Sequence, residues 1–144
     1  MTKHFFTLTL LLLLAAAGCS GGIKITGTVS YEDDGSPVKA GTVTFSGAQG
    51  NFTGVIKNGK YATGNVRSVG GIPEGSYKVF FSGIADAEYK QVDKGGVMDW
   101  ETKVTYLIMP EYTSAATTPI SFEAVKGGPK VFDIKVRKPP AAVP

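Results

Sequence analysis

Histidine and cysteine each occur once in the 144 residues, as His4 and Cys19. His4 falls in an N-terminal segment that reads as removable, so the exported chain is expected to lack imidazole. Without it there is no Ser-His-Asp or Cys-His nucleophile pair, no imidazole-ligated zinc and no histidine general base. A single cysteine cannot close an intramolecular disulfide, so its position needs another reason. Neither sign of charge dominates: 15 Lys and Arg stand against 12 Asp and Glu. That balance is too even and too dispersed for a nucleic-acid surface. Leu, Gln and Glu are sparse after residue 18, while Gly and strand-forming residues are frequent, which argues for an all-β chain.

Only one long apolar run is present. After Lys3 and His4, residues 5–17 are apolar apart from Thr7 and Thr9, and small residues follow at once. This is the pattern of a secretory signal peptide. A membrane-spanning helix needs roughly 20 apolar residues, and Gly18 with Ser20-Gly21-Gly22 stops the run short. The expected organisation is a signal over residues 1–18, a Gly/Ser tether over 19–22, one β domain over 23–137 and a disordered Pro/Ala tail over 138–144.

Ala16-Ala17-Gly18-Cys19 is similar to the bacterial lipobox, with Ala16 where Leu is usual. The resemblance implies that the Cys19 thiol is diacylated, that the chain is cut before it, and that the new amino terminus is acylated too. Each buried methylene contributes about 0.8 kcal/mol, so two or more chains hold stably where one is marginal. The implied partner is a membrane, reached through acyl chains on Cys19. Ser20, in place of an Asp, favours the outer membrane or the periplasmic face by the same resemblance.

The exported chain alternates with a period of two. Residues 23–31 set Ile23, Ile25, Val29 and Tyr31 against Lys24, Thr26, Thr28 and Ser30, as in a half-buried strand. Asp34-Gly35-Ser36-Pro37 is a turn, and residues 41–47 alternate again. A third strand over 51–57 leads to Asn58-Gly59, a strong hairpin signal, and then to a fourth over 60–66. In residues 76–82, Tyr77, Val79 and Phe81 are expected to face the core. Residues 83–100 read as a long irregular excursion with a helical turn over 85–90. Strand character returns over 101–109, and residues 120–125 and 130–136 are expected to close the domain as a terminal hairpin about Gly127-Gly128-Pro129. Seven to nine short strands argue for a two-sheet antiparallel sandwich, transthyretin/prealbumin-like or Ig-like.

Three pieces taken together resemble the carboxypeptidase regulatory-like domain. They are residues 25–31 with 37–45, Asn58-Gly59-Lys60-Tyr61, and residues 71–79. Residues 110–122 further resemble small bacterial lipoproteins built from one such domain. The resemblance implies a transthyretin-like sandwich serving as a non-catalytic module of the cell envelope, with neither cofactor nor metal. Fold-level likeness assigns no ligand.

Tyr89, Trp100 and Tyr112 lie in or near the irregular stretches, where exposed rings could stack on sugars or anchor a partner. An envelope protein or a glycan is thus the expected partner. Glu32, Asp33 and Asp34 lack the alternating carboxylates of a calcium loop and read as a solvated turn. Asp86 with Glu88, or Asp99 with Glu101, would serve a hydrolase only if they straddled a cleft at roughly 5–10 Å. Lys57, Lys60, Lys78, Lys90 and Lys94 are spread over separate elements and read as solvated.

Overall fold

A computed structural model describes residues 21–64 and 71–141. Residues 1–20, which include the expected signal and Cys19, residues 65–70 and the last three residues lie outside them. Nine strands form: β1 Thr26–Tyr31, β2 Ala40–Gly47, β3 Gly50–Lys57, β4 Lys60–Ala62, β5 Gly75–Ser82, β6 Ala85–Asp93, β7 Met98–Tyr106, β8 Ser121–Ala124 and β9 Ile134–Val136. Seven of them make one sheet in the order β8-β5-β2-β3-β4-β1-β9, and β6 pairs only with β7.

That sheet folds over on itself into an all-β sandwich. Asn58 and Gly59, both at positive φ (49° and 77°), make the tight turn that the Asn-Gly pair favours. Beyond the turn the β3–β4 ladder shrinks to Lys57 opposite Lys60 and a bridge between Gly54 and Thr63. The sheet turns its corner there, placing β8-β5-β2-β3 in one layer and β4-β1-β9 in the other. Alternation decides what lies between the layers: Val43 and Phe45 of β2, Tyr77, Val79 and Phe81 of β5, and Ile25 and Val29 of the opposite layer are all buried. Phe45 is the hub. Its ring centroid lies 6.2 Å from that of Tyr61, 6.5 Å from that of Phe132 and 5.8 Å from that of Phe122.

Polar groups inside are satisfied. Thr63 Oγ1 accepts from the Ile25 amide at 2.8 Å and donates to the Ile25 carbonyl at 3.2 Å. The Tyr61 hydroxyl donates to the Phe132 carbonyl at 2.6 Å. Burial, with the Asp133 charge adding to it, pushes that phenol well above its ordinary range.

Four expectations need correction. Residues 120–125 and 130–136 do not pair with each other: β8 is antiparallel to β5, whereas β9 runs parallel to β1 at the far end of the sheet. Alternation reports which side chains point inward and is silent on which strand is the neighbour. Second, the stretch expected to be irregular, residues 83–100, is mostly ladder: β6 and β7 pair in unbroken register from Ala85 opposite Tyr106 to Asp93 opposite Met98. Third, β4 ends at Ala62, short of the expected residue 66; residues 65 and 66 lie outside the described ones. Last, Lys138 belongs to the folded body: its amide donates to Asp33 at 3.2 Å and its ammonium to Asp34 at 2.6 Å, 4.7 Å above the Tyr31 ring.

Candidate binding surface

The strand directions fix where the candidate site stands. Ile23 bridges Ile72 at one pole, and the eight residues of β5 carry the chain roughly 25 Å to the other. There Gly83 and Ile84 release it into the β6–β7 hairpin. Each hairpin strand has nine residues, about 30 Å of extended chain. Lys94-Gly95-Gly96-Val97 closes the tip, where the Lys94 amide donates to the Val97 carbonyl at 2.9 Å and the Gly96 amide to Asp93 Oδ1 at 2.6 Å. Among the described residues no strand pairs with the outer edge of either, and almost every side chain is solvent-exposed.

Directly paired residues of an antiparallel ladder share a face, so the register sorts the hairpin into two. One face carries the pairs Ala85–Tyr106, Ala87–Val104, Tyr89–Thr102, Gln91–Trp100 and Asp93–Met98. Tyr89 is 69 % exposed, Trp100 64 % and Tyr106 61 %. The other face carries Glu88 opposite Lys103 and Lys90 opposite Glu101. Lys94 Nζ lies 3.0 Å from Asp99 and 3.9 Å from Glu101, and its hydrogen bond is the main cause of the lowered Asp99 pKa, ahead of the Trp100 amide. The hairpin is therefore amphipathic, with an ion-paired polar face and an uncovered apolar one.

A cavity of about 440 Å³ opens at the hairpin root, lined by Phe81, Ile84, Ala85, Tyr106, Ile108 and Pro110 among others. Ala85 and Tyr106 are the root pair of the apolar face, so face and cavity form one continuous surface. Concave apolar sites with few polar groups are the usual places for recognition.

Of the side chains singled out by sequence, Tyr89 and Trp100 are brought together on this face. Tyr112 is not: it is 5 % exposed. The 3₁₀ turn Pro110–Thr113 directs its ring into the core, and its hydroxyl accepts from Arg137 Nε at 3.4 Å while Arg137 pairs with Glu111 at 2.7 Å. Tyr106, Val104, Met98 and Val97 were not anticipated as site residues, although the alternation Met98, Trp100, Thr102, Val104, Tyr106 announces a strand face as far back as residue 98. Cys19 lies outside the described residues.

Asp86, Glu88, Asp99 and Glu101 share the polar face of the hairpin, interleaved with lysines; Glu88 and Glu101 line a solvent-open depression there together with Lys90, Thr102 and Lys103. Asp34 accepts from the Ser36 amide and hydroxyl and pairs with Lys138, so Lys138 occupies the carboxylates of that turn. Among the described residues no group of three or more His, Cys, Asp or Glu side chains is placed to hold a metal ion, and no helix is long and apolar enough to cross a membrane.

The fold and this surface define an all-β sandwich bearing an amphipathic hairpin. Compared with known proteins, the chain matches no family model, no curated protein and no solved structure.

Proposed function

We propose that this chain is a lipid-anchored, non-catalytic binding module of the bacterial cell envelope, exported and held through acyl chains on Cys19 at the outer membrane or periplasmic face. The hairpin is its recognition element. The observation that carries the reading is the uncovered apolar face of β6–β7 running into the cavity at the hairpin root. Exposed apolar surfaces of this extent mark interaction sites. Ile23 lies at one pole and the hairpin leaves the body at the other, so acyl chains on Cys19, four residues before Ile23, would hold the end opposite the recognition element. The three stretches resembling the carboxypeptidase regulatory-like domain support a module without catalysis, as does the lack of imidazole after His4.

A second reading is carbohydrate binding. It is favoured by Tyr89, Trp100 and Tyr106 sharing one exposed face with Gln91 and Thr102, since rings can stack on sugars and amide and hydroxyl groups can bond theirs.

Two measurements test the proposal. In cells fed a palmitate analogue, the wild type should label and Cys19→Ala should not; equal labelling removes the anchor. A photo-crosslinking amino acid at Thr102 should give envelope adducts that the same group at Lys103, on the opposite face, does not. Silence at Thr102 removes the hairpin as recognition element. Binding on a glycan array, lost in Trp100→Ala, would replace the protein partner with a sugar.

A further inference from the structure

A two-stranded hairpin alone in water is marginally stable at best. The ion pairs on the polar face of β6–β7 are more than half exposed and contribute little. A ladder of nine unbroken pairs therefore calls for a cover over its other face. Resting on the reading of the hairpin as recognition element, we infer that the cover is a second copy of this chain. Two hairpins lie antiparallel, apolar face on apolar face, and the tip of each enters the cavity at the root of the other.

The register makes the face self-complementary under a two-fold axis through the Tyr89–Thr102 pair. That axis sets the bulky Gln91–Trp100 row of one copy over the smaller Ala87–Val104 row of its partner. It sets Asp93–Met98 over Ala85–Tyr106, and brings Val97 at the tip to the partner's root cavity. Bulk meets small side chains where Trp100 lies over Val104 and Gln91 over Ala87, while on the axis Tyr89 packs against its own copy and at the ends Met98 packs on the Tyr106 ring.

The surface also suffices. A fully covered aromatic side chain contributes about 150–250 Å². At the exposure they have, the three rings with Val97, Met98 and Val104 offer on the order of 700 Å² per copy, near the ~800 Å² per partner of a stable interface. Other occupants fit less well. Between residues 85 and 106 five carboxylates stand against three lysines, the wrong balance for an anionic bilayer. Val97, Met98 and Val104 give a sugar ring nothing to stack on. Asp93 is the only charged side chain in the five apolar rows, so two such faces meet without a row of like charges.

The test is sedimentation velocity on the full chain purified from membranes in detergent, joined to photo-crosslinking from Thr102 in intact cells. A reversible dimer is expected, with adducts at twice the chain mass. Trp100→Asp and Val104→Asp should weaken dimerisation by roughly tenfold or more, while Lys103→Glu on the opposite face leaves it unchanged. Both apolar-face positions are substantially exposed, so circular dichroism of the variants should keep the wild-type spectrum. A wild type that stays monomeric, or a dimer indifferent to Trp100→Asp, overturns the inference. Crosslinks from Thr102 only to another envelope protein overturn the second copy and leave the binding module standing. A monomer with no crosslink at all overturns both.

Discussion

Phe122 of β8 and Phe132, in the stretch leading into β9, bring the two ends of the seven-stranded sheet together with ring centroids 4.8 Å apart. Between them and the corner at Asn58-Gly59 stands Phe45, which is fully buried and touches both rings. Replacing a buried Phe by Ala costs about 3–5 kcal/mol. Phe45→Ala should fall in that range, and Phe132→Ala, which is half-buried, below it. Urea denaturation followed by circular dichroism measures both. Equal losses would mean that closure of the sheet depends on its ends as much as on its centre.

Gly27 sits where alternation calls for an apolar side chain, and the closeness of the next chain explains why none is there. A Cβ at this position would lie 2.0 Å from the Phe132 carbonyl oxygen and 3.0 Å from the Tyr61 ring. The obstacle is backbone, which cannot swing aside as a flexible side chain would. Gly27→Ala should therefore push the segment around Phe132 off β1, weaken the Tyr61 hydroxyl bond to the Phe132 carbonyl and destabilise the fold by about 1–3 kcal/mol. Gly35→Ala is the comparison: nothing lies within 4 Å of its Cβ position, so its cost is confined to its positive φ.

The Lys138–Asp34 clamp should depend on pH in a definite sense. Hydrogen bonds from Lys138 first, and then from Ser36, hold the Asp34 carboxyl well below the usual carboxylate range. The same contact with Asp34 raises Lys138. A depressed carboxylate stabilises the fold above its unfolded pKa, about 3.9, and the contribution is lost as pH falls through the folded value. A raised lysine contributes below about 10.4 and loses this as pH rises past its folded value. The clamp should thus hold across the neutral range and open at both extremes. Exchange of the Lys138 amide, which donates to Asp33, reports it. Asp34→Asn should speed that exchange at pH 7 and flatten its acid limb, and an unaltered rate would show that Asp33 suffices.

How much of this was legible beforehand differs from one element to the next, for physical reasons. Burial of Tyr77, Val79 and Phe81 follows from alternation because one face of β5 meets the core. The Asn58-Gly59 turn follows from its two positive-φ residues. The hairpin over 85–106 escaped because neither of its faces is buried and the Ala85, Ala87 side of β6 is only weakly apolar, so Asp93-Lys94-Gly95-Gly96 read as an ending when it is the tip of a ladder. Tyr112 looked exposed because it sits among prolines and threonines, and only the tertiary path of the 3₁₀ turn sends its ring inward. Strand partners, above all the parallel pairing of β9 with β1, depend on contacts distant in sequence that no local pattern encodes.

Trp100 is the only tryptophan in the chain, and it sits on the hairpin, remote from the aromatic cluster around Phe45. Its fluorescence therefore reports β6–β7, while far-ultraviolet circular dichroism is dominated by the sandwich. Segments with few buried apolar contacts open at lower free energy than the global transition. Where the hairpin faces are uncovered, the Trp100 transition in urea should precede the circular dichroism transition, and amides of residues 85–106 should exchange faster than those of β5. At concentrations where two copies associate, the indole becomes buried. Its emission should then shift to the blue, and the two transitions should draw together as protein concentration rises. Coincident transitions at every dilution would mean that the hairpin is held within a single chain, and the uncovered face would lose its meaning as a site.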